Sequence, residues 1–158
     1  MPVKLEHRIG VQAPAETIWE IISDLSSWHA WNPLYPQAEG SLRIGGQLSL
    51  TLALPGHKPE TIKPTIVDWV PRDQIHWTLK MGGGLVRTYR FIEIEVLGET
   101  SCIFSNGELF DGLLGPFIAR RMRRSIRKGF AEMGEALKDR AEYAWCMDEQ
   151  NIQPSLDL

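Results

Sequence analysis

Apolar and polar positions alternate along most of the chain and then change period near its end. In "VKLEHRIGV" (3–11), Val3, Leu5, Ile9 and Val11 fall on one face with His7, which predicts a first strand. "APAETIWEIISDL" then switches to helical spacing. Pro14 suits a first helical position, Glu16 suits the positive end of the helix dipole, and Ile18, Ile21, Ile22 and Leu25 form the apolar side. "EGSLRIGGQLSLTLALPG" predicts a hairpin turning at Gly45-Gly46, with Leu48, Leu50, Leu52 and Leu54 pointing one way. "ETIKPTIVDWV", "QIHWTLKM", "LVRTYRFIEIEV" and "TSCIFSNGELFDG" supply further strands. Ile75, Trp77, Leu79 and Met81 share one face, and Thr100, Cys102, Phe104, Asn106, Glu108 and Phe110 share another. The glycines at 82–84 are followed by a strand rather than by Lys-Ser/Thr and a helix, so they predict a turn and not a phosphate loop.

From Leu113 to about Tyr143, Ile118, Met122, Ile126, Phe130, Met133 and Leu137 recur at helical spacing and predict one long amphipathic helix. Gly129 and Gly134 lie on or near its apolar side, where a missing side chain leaves room for another group. After that the periodicity is lost. The expected organisation is a single domain over 1–143 and a loosely held tail over 144–158. Successive hairpins imply an antiparallel sheet, and a lone amphipathic helix must bury its stripe against that sheet. The expected fold is α+β: a curved antiparallel sheet of about seven strands wrapped around a long C-terminal helix, with two short helical segments between strands one and two.

Composition narrows the function classes. At 158 residues, 43% hydrophobic and 23% charged, the chain matches one soluble globular domain. A net charge of -3 gives no global attraction to nucleic acid. The N-terminus lacks the pattern of a secretory signal, no apolar run is long enough to span a bilayer, and Cys102 and Cys146 are too few for a disulfide framework, so a cytoplasmic protein with reduced thiols is expected. His29, His57 and His76 show no metal-ligand spacing, and no metal or cofactor is expected. Nucleophile-elbow, zinc-protease, phosphate-loop and dinucleotide signatures are missing too.

The order and spacing of "APAETIW", Asp24, "WNP" at 31–33, "EGSLRIGGQLSL", "IVDWVPRDQIHW", "YRF" at 89–91, "NGELFDG" at 106–112 and "LLGPFIARRM" resemble the START-like (SRPBCC) helix-grip superfamily, in its bacterial polyketide cyclase/dehydrase and lipid-transport branch. The resemblance runs from about residue 3 to 140 and implies a deep apolar cavity between the concave sheet and the C-terminal helix. It implies either binding or carriage of a hydrophobic small molecule (a lipid, quinone or polyketide-like aromatic), or cyclase/dehydratase chemistry in the same cavity.

Within that frame Glu108 is the first candidate for acid-base chemistry or ligand anchoring, against the alternative of a carboxylate paired at a strand end. His7 and Tyr89 are the other catalytic candidates, each with a structural alternative as a core or edge residue. The expected ligand contacts are Trp28, Trp31, Leu34, Tyr35, Leu50, Leu52, Trp77, Tyr89, Phe91, Phe104, Asn106, Glu108, Met122, Ile126 and Phe130. Trp31 is the more structural member of "SSWHAWNPLY", whereas Trp28, Leu34 and Tyr35 are the stronger candidates for touching ligand. The run "RRMRRSIRK" at 120–128 is most simply a solvated helix face; Arg120, Arg123, Arg124 and Arg127 otherwise offer a weak contact to an acidic membrane or partner.

Overall fold

The computed structural model describes residues 1–152. The expected strand–helix order is present: β1 (Val3–Val11), α1 (Ala15–Ser23), a 3-10 segment (Leu25–Ala30), β2 (Gln37–Glu39), β3 (Ser49–Leu52), β4 (Glu60–Ile62), β5 (Thr65–Val70), β6 (Gln74–Met81), β7 (Val86–Gly98), β8 (Ser101–Asp111), α2 (Gly115–Arg121) and α3 (Arg123–Ile152). The fold is a helix grip. The five antiparallel strands β1-β8-β7-β6-β5 form the main sheet, and α3 packs across β1 and β8.

Instead of one sheet of about seven strands, the described residues form this five-stranded sheet and a separate three-stranded one, β2-β3-β4. Pro64 divides "ETIKPTIV" into β4 and β5 because it has no N–H to continue a ladder. Only irregular bonds join the two sheets there: Leu48 N–H donates to Pro64 O, Gly45 N–H to Ile66 O, and Ile66 N–H to Gly46 O. Gly45-Gly46 is therefore not a tight hairpin turn. It belongs to the longer loop that connects β2 to β3 and leans on β5. The glycines at 82–84 do form the β6–β7 turn, each at positive φ (62°, 68° and 98°).

The C-terminal helix differs from expectation at both ends. It breaks at Met122 (φ -102°, ψ 14°), while hydrogen bonds from Met122 N–H to Ile118 O and from Ile126 N–H to Met122 O bracket the break. At the other end it continues to Ile152. The apolar period fades there: among the residues whose burial is described, the buried stripe ends at Ala141 and only Trp145 beyond it still packs on the core, while Tyr143 and Met147 are exposed. Residues 153–158 of the expected tail lie outside the described residues.

The two helix glycines are sites of close approach. A Cβ on Gly134 would lie 2.8 Å from His7 Nδ1, and one on Gly129 would lie 3.0 Å from a Leu34 methyl. The space they leave is filled by β1 and by the segment after the 3-10 turn.

Candidate functional site

An internal cavity of about 110 Å³ lies between the concave sheet and the helices, and its wall is mostly apolar. Trp77 and Leu79 come from β6, Phe110 from β8, and Met122, Ile126 and Phe130 from the α2–α3 segment. Its polar groups are Tyr35, Thr88, Glu108 and Glu60. An outer hollow of about 230 Å³ shares Leu52, Leu54, Glu60 and Met122 with it and adds His57 and Lys58, which marks the mouth.

Tyr35 is placed by local sequence chemistry. In "WNPLY", Asn32 Oδ1 accepts hydrogen bonds from the backbone N–H groups of Leu34 and Tyr35, both at 3.0 Å, closing a turn around Pro33. The rings then form a chain: Trp31 to Trp28 at 6.2 Å, Trp28 to Tyr35 at 5.8 Å, and Tyr35 to Trp77 at 5.7 Å between centroids. Only the inner rings, Tyr35 and Trp77, reach the cavity. Trp28 and Leu34 are buried behind them, and Trp31 packs on Trp28 from the partly exposed side.

Behind the cavity wall lies a residue that the candidate set above omits. Arg90, on β7, has no solvent exposure. Its Nε donates to the Tyr35 hydroxyl at 2.9 Å, its Nη1 to the carbonyls of Phe91 and Gly107 at 3.0 Å, and its Nη2 to Asn106 Oδ1 at 3.0 Å. The guanidinium also lies over the rings of Phe130, Tyr35 and Trp77, at 4.3, 5.6 and 5.8 Å. Asn106 Nδ2 in turn donates to Phe130 O on α3. A buried cation is costly unless its donors are satisfied; here carbonyls, an amide, a hydroxyl and aromatic faces satisfy it. Asn106 is thus a bridge from Arg90 to α3 and not part of the cavity wall.

Glu108 does face the cavity, directly across the β7–β8 ladder from Arg90. Burial pushes its carboxyl above the usual range. The Arg90 charge opposes that, and the Thr88 hydroxyl, buried with no hydrogen bond of normal length among the described residues, adds a smaller opposing pull. Burial likewise raises the Tyr35 phenol against the pull of Arg90. The cavity therefore presents three oxygen groups to a ligand: a carboxyl whose proton is held more tightly than usual, a phenol and an alcohol.

Other candidates lie elsewhere. Tyr89 and Phe91 are on the convex face of β7, which corrects their expected inward register. Phe91 covers Gly107, where an added Cβ would lie too close to the ring and only 2.6 Å from Leu5 O. Tyr89 hydrogen-bonds His76 Nδ1 at 2.7 Å, and His76 Nε2 meets Glu93 Oε2 at 2.9 Å. His7 points inward but is packed on Gly134, away from the cavity, and its Nδ1 has no partner among the described residues. Leu50 and Phe104 are buried core. Among the described residues no group of three or more His, Cys, Asp or Glu could hold a metal ion. Of the expected contacts, the structure gathers Tyr35, Leu52, Trp77, Glu108, Met122, Ile126 and Phe130 around one cavity. It adds Thr88, Leu54, Ile62, Leu79, Met81, Phe110 and Ile118 to them. A register signal for Thr88 and Arg90 was available: a hairpin turning at 82–84 sets Trp77 opposite Arg90.

This arrangement has many structural relatives. The Zhui aromatase/cyclase from Streptomyces sp. R1128 aligns with a TM-score of 0.72 at 19% identity, over 90% of this chain and 94% of that one. Norcoclaurine synthase from Thalictrum flavum aligns with a TM-score of 0.65 at 19% identity, over 88% and 86%. A START superfamily protein from Mycobacterium smegmatis aligns with a TM-score of 0.62 at 22% identity, over 91% and 97%. At these identities they share the fold alone. No curated protein sequence matches the chain significantly. The family model for polyketide cyclase / dehydrase and lipid transport matches residues 2–142, nearly the whole grip from β1 to the end of the buried helix stripe, and the chain belongs to that family.

Proposed function

We propose that residues 1–143 bind and carry a hydrophobic small molecule, of the lipid, quinone or polyketide-like aromatic class, in the cytoplasm. Its apolar body lies in the cavity, and a ligand oxygen meets Glu108, Thr88 and Tyr35 at the inner end. The observation that supports this is the union, in one cavity, of an apolar wall with a carboxyl whose proton burial holds more tightly than usual. Size sharpens the ligand class. A dry cavity of roughly 150 Å³ accepts a benzene-sized guest, so the smaller space of about 110 Å³ takes a short acyl segment or part of a ring, with the rest of the molecule passing through the mouth.

A second reading, cyclase or dehydratase chemistry, is favoured by the same Glu108. A neutral carboxylic acid in a dry pocket can protonate a ligand carbonyl or a departing hydroxyl, and the pocket itself holds the reacting chain in place. Native mass spectrometry of the purified protein, followed by a screen of lipophilic ligands, tests the binding reading. A bound small molecule released by denaturation is expected; an empty protein that takes up no compound in the screen would sink it. Glu108→Gln separates the two readings, because an enzyme would lose turnover with affinity largely kept, whereas a carrier would change only in binding.

A further inference from the structure

The rim beside the mouth carries features that ligand binding inside the cavity does not use. Leu113, Leu114 and Phe117, at the start of α2, are 82%, 42% and 60% exposed. The backbone N–H of Leu114 donates to Leu85 O at 2.9 Å, so the 43% exposed Leu85 of the β6–β7 turn lies beside them. Met81, 39% exposed, joins this apolar group to the cavity wall. On the other side of Met122, the side chains of Arg120, Arg121, Arg123 and Arg124 surround a shallow hollow with His57 and Ser125. These four arginines and Arg127 are exposed, and none makes an ion pair among the described residues, although the whole chain carries a net charge of -3. A solvated helix face accounts for the arginines alone. It does not account for large aliphatic and aromatic side chains held out beside them, where a free surface would favour polar groups.

We propose that this face docks on an anionic phospholipid bilayer. Leu113, Leu114, Phe117 and Leu85 enter the headgroup–acyl boundary, and the arginines of the α2–α3 junction pair with lipid phosphates. The break at Met122 matters to this arrangement. It ends α2 before α3 begins, and Met122 itself lines the cavity, the outer hollow and the arginine hollow. A docked molecule therefore holds its mouth at the membrane surface. Choosing a bilayer over an acidic protein rests on the proposed function: a ligand with an apolar body is dissolved in lipid, and an entrance ringed by apolar and basic residues meets it there.

Co-sedimentation with lipid vesicles tests the proposal. Vesicles of phosphatidylcholine with about 30 mol % phosphatidylglycerol should pull down the protein at low salt, and neutral phosphatidylcholine vesicles should not. Added salt should weaken the binding as it screens the arginines. The double variant Leu113→Ser, Phe117→Ser should lose at least about tenfold in partitioning. The pair Arg120→Gln, Arg124→Gln should also lose about tenfold. All four side chains are exposed, so unchanged thermal melting is expected and separates lost docking from lost folding. Failure to bind the anionic vesicles overturns the proposal, as does wild-type partitioning by the Leu113/Phe117 variant. Native mass spectrometry on the same preparations distinguishes the two readings: vesicle binding by a protein with an empty cavity upholds docking and removes the carrier function, and a loaded protein that ignores vesicles does the reverse.

Discussion

The two faces of β7 carry two polar clusters only one residue apart in sequence, and they are built on opposite terms. On the concave face, Arg90 is fully buried and reaches Tyr35, Asn106, two backbone carbonyls and, at 3.5 Å, the Met133 sulfur, so all five N–H donors are committed to protein. On the convex face, Tyr89, His76 and Glu93 also form a chain of short hydrogen bonds, yet the Glu93 side chain is 41% exposed and water can replace a lost partner. Similar groups at similar distances therefore differ in what their loss costs. In the dry cluster a deleted partner strands a buried donor, whereas in the wet one it is resolvated. The dry cluster also shapes the cavity, because it fixes Tyr35 and Phe130 in the cavity wall and lies across the ladder from Glu108.

The comparison breaks most sharply at its centre. Arg90→Met should cost about 3 kcal/mol or more, since it strands Tyr35 and Asn106 in the core. For a domain of this size that lowers Tm by about 6–12 °C in a circular-dichroism melt. Tyr35→Phe removes only the acceptor of Arg90 Nε, and a loss of about 1–3 kcal/mol is expected by denaturant titration.

Glu108→Gln should act in the opposite direction. Burial raises the folded-state pKa, so the native state holds the proton more tightly than the unfolded chain. Stability then falls as pH rises from the ordinary carboxylate range through the folded-state value. Glutamine ionises in neither state, so the variant should melt higher than wild type at neutral pH and lack that fall. A variant that melts lower at pH 7 and keeps the wild-type pH profile would show that folding does not raise the Glu108 carboxyl. The smallest effect belongs to the convex face. Tyr89→Phe should change stability by less than about 1 kcal/mol and leave ligand affinity untouched; a marked loss of affinity would join the two clusters that the sheet separates.

Much of the grip was legible in the sequence because its signals are local. Period-two alternation placed β1, β6 and β8 with the right faces inward, so Glu108 and Trp77 were correctly aimed at the concave side. On β7 the inward placement of Tyr89 and Phe91 rested on the register that the family resemblance implies, but Ile92 and Ile94 share parity with Arg90, and that parity is the one facing the core. A buried arginine is a poor guess from composition, since it is tolerated only when partners from other strands and a helix converge on it. The same limit applies to the first aromatic segment. "WNP" predicts its bend, yet only packing decides that Tyr35 reaches the cavity while Trp28 lies behind it.

By itself, then, the sequence determined the order of elements, the amphipathic helix, the turn glycines at 82–84 and the family, because each is carried by spacing along one stretch of chain. The tertiary structure decided the division into two sheets, the break at Met122, the burial of Arg90, and the assembly of Tyr35, Thr88 and Glu108 around one space. The physical reason is that burial, desolvation and hydrogen-bond closure depend on groups brought together from distant strands and helices, and no local period records which of them will meet.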